Sequence, residues 1–513
     1  MILFRIESQI MLKSSFILSG LSLGVSILSL LNQLVIAHQF GSSIDLDAYF
    51  VSSSVPTFVA GTIVAAFSYS LVPFLLSQKS DYFNVIVSLM TVIIIAGAIA
   101  VSVFGYICSN IFLLAKYTQY SKDTIMQVNR LSWLYCFFAI IIGYFVCVLN
   151  SKKRFYLPII LSGLPYLGIM LSSLFFDKTF GIITIAIGLL VGTVISCLIM
   201  FFVVKKDFTL PENPFININS VIAVFKQLPF VIVGMSCFTI YQSIDAYWAP
   251  AIGTSNLAYL SYCQRIIIAI GGLVIAGPSI ILVPFLSETL LKQGVDTFLE
   301  ILLKTIKFTF FICAFVVIIL SILAEAIVKI LFERGNFDKI SVNGVASILP
   351  YLAIGMIPML FVIIFFRAIM LQNREQSSAL LGLISIVCYF TLSGLFSGWL
   401  KLEGIGLAYI MSWLITMLVA VQLLWRNRII LLINRKNIID LIKYVVLISI
   451  ISILTYTLKI NIITNTEIVS DTYLFFSVAF IGFVSLIGYL SLSLVLRLSE
   501  LKLITNKFIP KSI

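Results

Sequence analysis

The feature that most constrains this chain is a series of long apolar runs without a charged residue, such as VIVSLMTVIIIAGAIAVSVF at 85–104. About 20 consecutive apolar residues in a helix span the hydrocarbon core of a bilayer and satisfy their own backbone hydrogen bonds. The strands of a membrane β-barrel would alternate apolar and polar residues, and these runs do not. With 61% apolar and 11% charged residues, the composition excludes a water-soluble enzyme and predicts an integral membrane protein.

Charged residues and segments rich in Pro or Asn divide the chain into fourteen predicted helices. Their approximate limits are 14–37, 48–78, 83–106, 125–150, 156–176, 179–204, 221–249, 257–287, 305–331, 343–372, 377–397, 403–426, 440–460 and 472–497. The longest connecting segment, at 205–219, is too short for a soluble catalytic domain. The predicted fold class is therefore all-α, a polytopic membrane protein with about 14 transmembrane helices.

The net charge of +12 could indicate nucleic-acid binding, but in a polytopic protein the basic residues must first be compared between the two membrane faces. With the N-terminus inside, about two thirds of the 33 Lys and Arg residues fall in cytoplasmic segments. This asymmetry predicts both termini in the cytoplasm, an even number of helices and no nucleic-acid partner. The first apolar run has no small-residue cleavage site, so we expect it to remain as the first helix.

Two blocks of six predicted helices resemble each other. LVPFLLS at 71–77 recurs as LVPFLSE at 282–288, and Gly41 recurs as Gly253 at nearly the same offset. Because six helices is an even number, the second block keeps the orientation of the first, as in transporters built from two parallel lobes. The predicted domains are an N-terminal lobe at 1–204, a cytoplasmic linker at 205–220, a C-terminal lobe at 221–427, and two further helices with a cytoplasmic tail at 428–513.

The first predicted helix carries polar residues on one face, at alternating spacings of four and three. They are Ser15, Ser19, Ser22, Ser26, Ser29 and Gln33. Such a stripe either packs closely against a neighbouring helix or lines a wet cavity. The neighbouring Asn32 favours the cavity, so Ser26, Ser29, Asn32 and Gln33 are candidate substrate-binding residues.

Charged residues inside spans are costly and mark candidate functional sites. Arg265 lies roughly 13 Å inside the eighth predicted helix at 1.5 Å per residue, and its guanidinium could bind a pyrophosphate through two parallel bonds. Asp245, in the seventh predicted helix, either forms an ion pair with Arg265 or takes up Na⁺ or a proton. Arg367 lies near the inner end of the tenth predicted helix, where the alternatives to substrate binding are snorkelling to the interface and packing.

Enzyme templates are absent from the sequence. The chain has no HExxH or P-loop, and no paired DxxD that would hold Mg²⁺ in a membrane transferase. The eight Cys residues are isolated, so we expect them to be small packing residues rather than metal or disulfide ligands. We therefore expect a protein that is not an enzyme and that uses no metal or cofactor.

Eight short segments, ordered along both lobes, carry a resemblance to a known family. They are FGSSIDLDAYFVSSSVPTF (40–58), FSYSLVPFL (67–75), LNSKKRFYLP (149–158), YLSYCQRI (259–266), VPFLSE (283–288), LFERGNFD (331–338), RAIMLQNRE (367–375) and EGIGLAY (403–409). Together they resemble the MurJ/MviN family, the lipid II flippases of the multidrug/oligosaccharidyl-lipid/polysaccharide exporter superfamily. The resemblance implies export of an undecaprenyl-pyrophosphate-linked saccharide across the bacterial inner membrane, through a cavity lined by the first, second, seventh and eighth helices.

The resemblance also implies roles for individual residues. Asp47 matches an Asp of the family's DAFF-like segment, and Arg265, which follows Tyr262, matches a cavity Arg. Arg367 matches a basic position before an FYA-like stretch. Asp245 occupies a position where many members carry Asn or Asp, linked in some to a sodium site. The resemblance thus implies ion coupling by Asp245 and substrate binding by the other four residues, which are Asp47, Tyr262, Arg265 and Arg367.

Two departures from the family pattern bear on the cargo and the coupling ion. Members that flip lipid II typically carry arginines where this chain has Ser26 and Asn32, and also around Ala60 and Gly61. The eleventh predicted helix has no Asn or Asp, so an acid–amide sodium site would be incomplete. The first departure raises the alternative of a different lipid-linked saccharide.

We therefore expect a flippase that moves a lipid-linked saccharide, in the first place lipid II, by alternating access. Its energy source would be Na⁺ or H⁺ coupling or the membrane potential. The alternatives are a flippase for a capsule, O-antigen or exopolysaccharide repeat unit, and a cation-coupled multidrug exporter. The expected partners are the lipid-linked oligosaccharide and the bilayer, and we expect the protein to be a monomer.

Overall fold

The structure is a computed structural model that describes residues 2–77, 80–207, 218–372, 374–425, 435–464, 471–498 and 500. Every regular element within these ranges is helical. The α-helices are α1 (Ile2–Phe40), α2 (Ile44–Leu76), α3 (Ser80–Lys116), α4 (Lys122–Ser151), α5 (Tyr156–Leu161), α6 (Leu164–Phe180), α7 (Ile183–Val204), α8 (Ile218–Thr239), α9 (Tyr241–Ile252), α10 (Asn256–Gln293), α11 (Val295–Ile322), α12 (Ala324–Phe332), α13 (Lys339–Leu371), α14 (Glu375–Trp425), α15 (Arg435–Lys459) and α16 (Asp471–Val495). Outside the described residues lie 208–217 of the predicted linker, most of the predicted tail, and the side chains of LVPFLSE.

The helices confirm the predicted all-α membrane fold. In the described ranges, twelve helices are long and apolar enough to cross a membrane, and the pair α8 and α9, bent by 47°, would make thirteen. The 51-residue α14 has a break at Lys401, where φ is 52° and ψ is −126°, so it comprises two helices. Counting this break brings the described spans to fourteen, and the predicted number is approximate.

Predicted helix ends are less accurate than predicted helix positions. The third predicted helix ends near residue 106, whereas α3 continues to Lys116. Polar residues in its last three turns find partners on α4: Trp133 Nε1 donates to Ser109 Oγ at 2.8 Å, and Ser109 donates to Asn129 Oδ1 at 3.1 Å. A polar side chain does not end a membrane helix when a neighbouring helix satisfies it.

The described residues form two compact units. Unit 1 comprises Met1–Arg265, Arg334–Phe337 and Arg374–Gly394, and unit 2 comprises the remaining segments. The units reflect contacts in the structure, whereas the predicted lobes reflect a sequence repeat. The lobe boundaries at 204, 220 and 427 stay a prediction.

In unit 1, α4 packs against α2, α3 and α7, and α6 packs against α7. Glycines allow the closest of these approaches. A Cβ added to Gly168 of α6 would lie 2.2 Å from the carbonyl oxygen of Gly188 in α7, and one added to Gly143 of α4 would lie 2.6 Å from Val64 of α2. Small residues at such crossings bring membrane helices into van der Waals contact, which holds this bundle together without a hydrophobic drive between helices.

The N-terminal end of α10 is fixed to the start of α2 by four residues, which we call the α10 clamp: Gly41, Asp47, Ala258 and Tyr262. Asp47 Oδ1 accepts a hydrogen bond from the backbone N–H of Ala258 at 2.8 Å. The Tyr262 hydroxyl donates to the carbonyl oxygen of Gly41 at 2.6 Å. Asp47 and Tyr262 are both fully buried. The clamp therefore sets the position of the first turns of α10, and with them the position of Arg265.

Gly41 has a second close neighbour in unit 1. Its φ of +57° lies in the left-handed region, and an added Cβ would lie 2.2 Å from the carbonyl oxygen of Asn336. The backbone N–H of Asn336 donates to the carbonyl oxygen of His38 at 3.0 Å, which holds the segment 334–337 against the turn between α1 and α2. This turn therefore requires glycine for both its backbone angle and its packing.

Unit 2 is organised around α11, which packs against α13, α15 and α16. The ammonium group of Lys307 binds Asp440 Oδ2 at 2.6 Å and donates to Asn437 Oδ1 at 2.9 Å. The Tyr489 hydroxyl donates to the carbonyl oxygen of Phe311 at 2.7 Å. These bonds fix α15 and α16, which lie outside the predicted repeat, to α11.

Replacing Gly41 by Ala should lower the free energy of unfolding by at least about 2 kcal/mol, because the left-handed φ is unfavourable for Ala and the new Cβ meets Asn336. The measurement is thermal unfolding of the purified protein in detergent. Gly97→Ala is the matched control, since nothing lies within 4 Å of a Cβ added there. Equal stability of the two variants would contradict the assignment.

Replacing Asp338 by Ala should cost about 1 kcal/mol at neutral pH, because Asp338 caps the N-terminus of α13. Its carboxylate accepts bonds from the Ser341 hydroxyl at 2.6 Å and backbone N–H at 2.9 Å, and these bonds hold the pKa of Asp338 below its ordinary 3.8. A lowered pKa means that the stabilisation is complete above pH 3.8 and is lost as the pH falls through the folded-state pKa. Unfolding measured against pH should therefore show wild type and Asp338→Ala converging in acid, whereas Asp338→Asn should show no convergence from this group.

Candidate functional site

Unit 1 contains a cavity of about 480 Å³, lined by α1, α2, α4, α5, α6 and α7. Two residues from later in the chain complete the lining, Gln242 of α9 and Arg265 of α10. The resemblance implied a cavity lined by the first, second, seventh and eighth predicted helices, which correspond to α1, α2, α8 with α9, and α10. Residues from all four of these predicted helices line the observed cavity. Residues of α4, α5, α6 and α7 also line the cavity, and these helices belong to the predicted N-terminal lobe.

Arg265 is the cation of this cavity. Among the described residues that line the cavity there is no Asp or Glu. Arg265 is half-buried and forms no hydrogen bond or ion pair with any described residue. Its guanidinium interacts electrostatically with the hydroxyl groups of Tyr49 and Tyr135. A guanidinium without a counter-ion in a low-dielectric site attracts an anionic ligand, and phenol hydroxyls beside it can donate to the same anion.

Asn32 and Gln33 reach the cavity from α1, as the sequence predicts. They are 5% and 4% exposed, yet Asn32 Oδ1 and Gln33 Nε2 have no hydrogen-bond partner in the described structure. A buried polar atom without a partner costs about 1–3 kcal/mol, so these two amides are poised to bind a ligand or ordered water.

The serine stripe of α1 is divided by the fold. Ser29 lines the cavity. Ser26 is exposed, does not line the cavity, and donates its hydroxyl to the carbonyl oxygen of Ser22 at 3.0 Å. The side chains of Ser15 and Ser19 lie outside the described residues. Of the stripe, the structure therefore brings Ser29 and Gln33 to the cavity.

Asp47 and Tyr262 do not line the cavity. Both belong to the α10 clamp, which positions Arg265 one turn beyond Tyr262. Their structural contribution to the site is therefore indirect, through the placement of α10.

Asp245 is 1% exposed and has two neutral donors. The Tyr389 hydroxyl donates to Asp245 Oδ1, and the Gln264 amide donates to Asp245 Oδ2. Of the two sequence alternatives, the ion pair with Arg265 is not formed between these two described residues. Gln264 precedes Arg265 in the chain, so the acid is bonded to the residue next to the cation and does not form an ion pair with it.

Arg367 is half-buried and lies in α13 of unit 2, four residues before the C-terminal end of that helix at Leu371. It forms no hydrogen bond or ion pair with a described residue. The described part of the chain also contains no cluster of three or more His, Cys, Asp or Glu side chains that could hold a metal ion.

Sequence reasoning missed three tyrosines and one amide of the cavity. Tyr49, Tyr135 and Tyr166 line it from α2, α4 and α6, and Gln242 lines it from α9. Two signals in the sequence could have found Tyr49 and Gln242: the pair Ala48-Tyr49 recurs as Ala258-Tyr259 in the second lobe, and Gln242 lies one turn before Asp245. Tyr135 and Tyr166 carry no such signal, because aromatic residues are common in membrane helices.

Comparisons with known proteins agree with this architecture. The family model described as "Lipid II flippase MurJ" matches residues 36–479. The "Probable lipid II flippase MurJ" of Buchnera aphidicola subsp. Baizongia pistaciae is 23% identical over 368 residues, covering 68% of this chain and 71% of the relative. That of Vibrio cholerae is 21% identical over 427 residues, covering 79% and 81%.

Solved structures show the same fold. The structure titled "Lipid II flippase MurJ, inward closed conformation" matches with a TM-score of 0.73 at 18% identity and covers 94% of this chain and 99% of that one. A multidrug resistance MATE family transporter of the MOP superfamily, in an outward-facing conformation, matches with a TM-score of 0.62 at 14% identity and covers 82% of this chain and 96% of that one. Since the family model spans most of its length, this chain belongs to the lipid II flippase MurJ family.

Proposed function

We propose that this protein moves the peptidoglycan precursor lipid II from the inner to the outer leaflet of the bacterial cytoplasmic membrane. The observation that carries the proposal is the acid-free cavity of unit 1 into which Arg265 projects without a counter-ion. Lipid II is anionic at its pyrophosphate, and the relatives named above carry the name of that activity. Those names do not favour the alternatives of a polysaccharide repeat unit or a drug as cargo.

In this proposal the pyrophosphate binds the Arg265 guanidinium through charge-assisted hydrogen bonds. Tyr49 and Tyr135, which lie in electrostatic range of Arg265, donate their hydroxyls to the remaining oxygens. Binding neutralises a charge that is otherwise unpaired, so the site favours the anionic head group over a neutral lipid. The prenyl chain stays in the hydrocarbon core of the surrounding bilayer, so its passage between the leaflets needs no free energy for transfer into water.

The transport step is alternating access, in which the two predicted lobes rock about the cargo and expose it to either leaflet in turn. Both termini lie in the cytoplasm, and the working unit is a monomer. The membrane potential or a cation biases the cycle, with Asp245 as the coupling residue and Arg367 as a second contact for the anionic cargo. Asp245 suits coupling because it is a buried carboxylate that contacts the residue next to Arg265.

The first test is complementation of a strain depleted of its own essential lipid II flippase. Wild type should restore growth, and Arg265→Gln should not, because the variant keeps a polar side chain and loses the charge that binds pyrophosphate. Arg130→Gln, an exposed position on α4, is the matched control and should restore growth. Immunoblotting of membranes must show equal insertion of the three proteins.

Two results would count against the proposal. Growth supported by Arg265→Gln would remove Arg265 from the mechanism. Failure of well-inserted wild type to support growth would count against lipid II as cargo.

The coupling role of Asp245 is tested in proteoliposomes with an imposed Na⁺ gradient, pH gradient or membrane potential. One of these should accelerate flipping by wild type, and Asp245→Asn should flip at a rate that does not respond to it. Tyr389→Phe is the matched control, because it removes one hydrogen bond to Asp245 and keeps the carboxylate. If Asp245→Asn responds to the gradient as wild type does, Asp245 is not the coupling residue.

A further inference from the structure

Apart from Arg265, the described wall of the unit 1 cavity has a different chemistry from the guanidinium. It presents the amides of Asn32 and Gln33 and the rings of Tyr135 and Tyr166. In the described lining this wall carries no ionised group. Whatever binds there is therefore polar but neutral.

The two amides indicate what kind of polar group fits. Asn32 and Gln33 are each more than nine-tenths buried, and both line the cavity. The unpartnered atoms are one acceptor, Asn32 Oδ1, and one donor, Gln33 Nε2. A ligand that offers both a donor and an acceptor at short spacing satisfies them together, and hydroxyl and acetamido groups of sugars do so.

The tyrosines supply the second half of a sugar site. Each presents a flat apolar face and a hydroxyl tip, and a pyranose ring likewise has an apolar C–H face and a hydroxylated edge. Tyr135 lies in electrostatic range of both Tyr166 and Arg265. Because all three residues line the same cavity, a sugar bonded directly to a pyrophosphate at Arg265 would lie within reach of Tyr135 and Tyr166.

We propose that Asn32, Gln33, Tyr135 and Tyr166 form a saccharide subsite that binds the neutral sugar rings of the cargo next to its pyrophosphate. This inference rests on the proposed function, since it assigns the pyrophosphate to Arg265. It makes these four residues determinants of cargo specificity, because a prenyl pyrophosphate without sugar would leave both amides without a ligand partner.

The test compares two lipids that differ in their sugar alone. Purified full-length protein in nanodiscs is titrated with undecaprenyl pyrophosphate and with undecaprenyl pyrophosphate that carries a disaccharide. Wild type should bind the disaccharide-bearing lipid at least about tenfold more tightly. Gln33→Leu and Tyr166→Leu should each lose most of this ratio and keep the affinity for the sugar-free lipid. Arg265→Gln should lose affinity for both lipids.

Gln127→Leu is the matched control for Gln33→Leu, because it removes the same amide from an exposed position on α4. It should keep the wild-type ratio. Asn32→Leu is the second amide variant, so that the conclusion does not depend on the folding of one protein.

The outcomes separate the subsite from the proposed function. Equal affinity of wild type for the two lipids would overturn the subsite, because water would then satisfy the two amides. That result would leave the role of Arg265 intact. Equal loss of affinity for both lipids in Gln33→Leu and Asn32→Leu would also overturn it, because the amides would then be merely structural. Binding of neither lipid by wild type would overturn both the subsite and the proposed function.

Discussion

The candidate site depends on the carboxylate of Asp47 at the N-terminal end of α10. The first N–H groups of any helix lack partners within the helix, and a membrane interior offers little water to replace them. Asp47 satisfies the N–H of Ala258, and the Tyr262 hydroxyl adds a bond one turn further on. Arg265 lies seven residues after Ala258, roughly 10 Å along the helix axis. A stable start of α10 is thus what holds a charged side chain at one depth in the cavity.

The same network keeps that charge available. A charged side chain inside a membrane protein usually pairs with an opposite charge, and Asp245 of α9 is bonded to Gln264, the residue before Arg265. Instead, Gln264 and Tyr389 occupy both oxygens of Asp245. Neutral donors stabilise the acid without neutralising the neighbouring cation. The arrangement forgoes an internal ion pair and leaves Arg265 for an external anion.

The sequence predicts the spans and part of the site for identifiable reasons. Apolar runs locate helices because lipid leaves the backbone few alternatives, and the rarity of charges inside spans singles out Arg265 and Asp245. The 3–4 spacing on α1 finds Ser29 and Gln33, but it cannot tell that Ser26, one turn earlier, is exposed. The clamp joins residues 211 and 221 positions apart, so the roles of Asp47 and Tyr262 depend on tertiary structure. Tyr135 and Tyr166 are missed because no local sequence pattern shows which aromatic residues of a membrane helix face a cavity.

The clamp also constrains how the protein can move. Gly41 and Asp47 belong to the predicted N-terminal lobe, whereas Ala258 and Tyr262 belong to the predicted C-terminal lobe. If those lobes rock against each other, an opening on the clamp's side of the membrane separates these pairs. Each buried group left without a partner costs about 1–3 kcal/mol, and a buried carboxylate costs more. Water that enters the opened side can then form hydrogen bonds with these groups. The free-energy cost of breaking the clamp therefore falls on the early part of the motion, before water has entered. Under such a motion the clamp would be a barrier that the cargo, the potential or a bound cation must overcome, and the same bonds that position Arg265 would limit how fast its cavity can change sides.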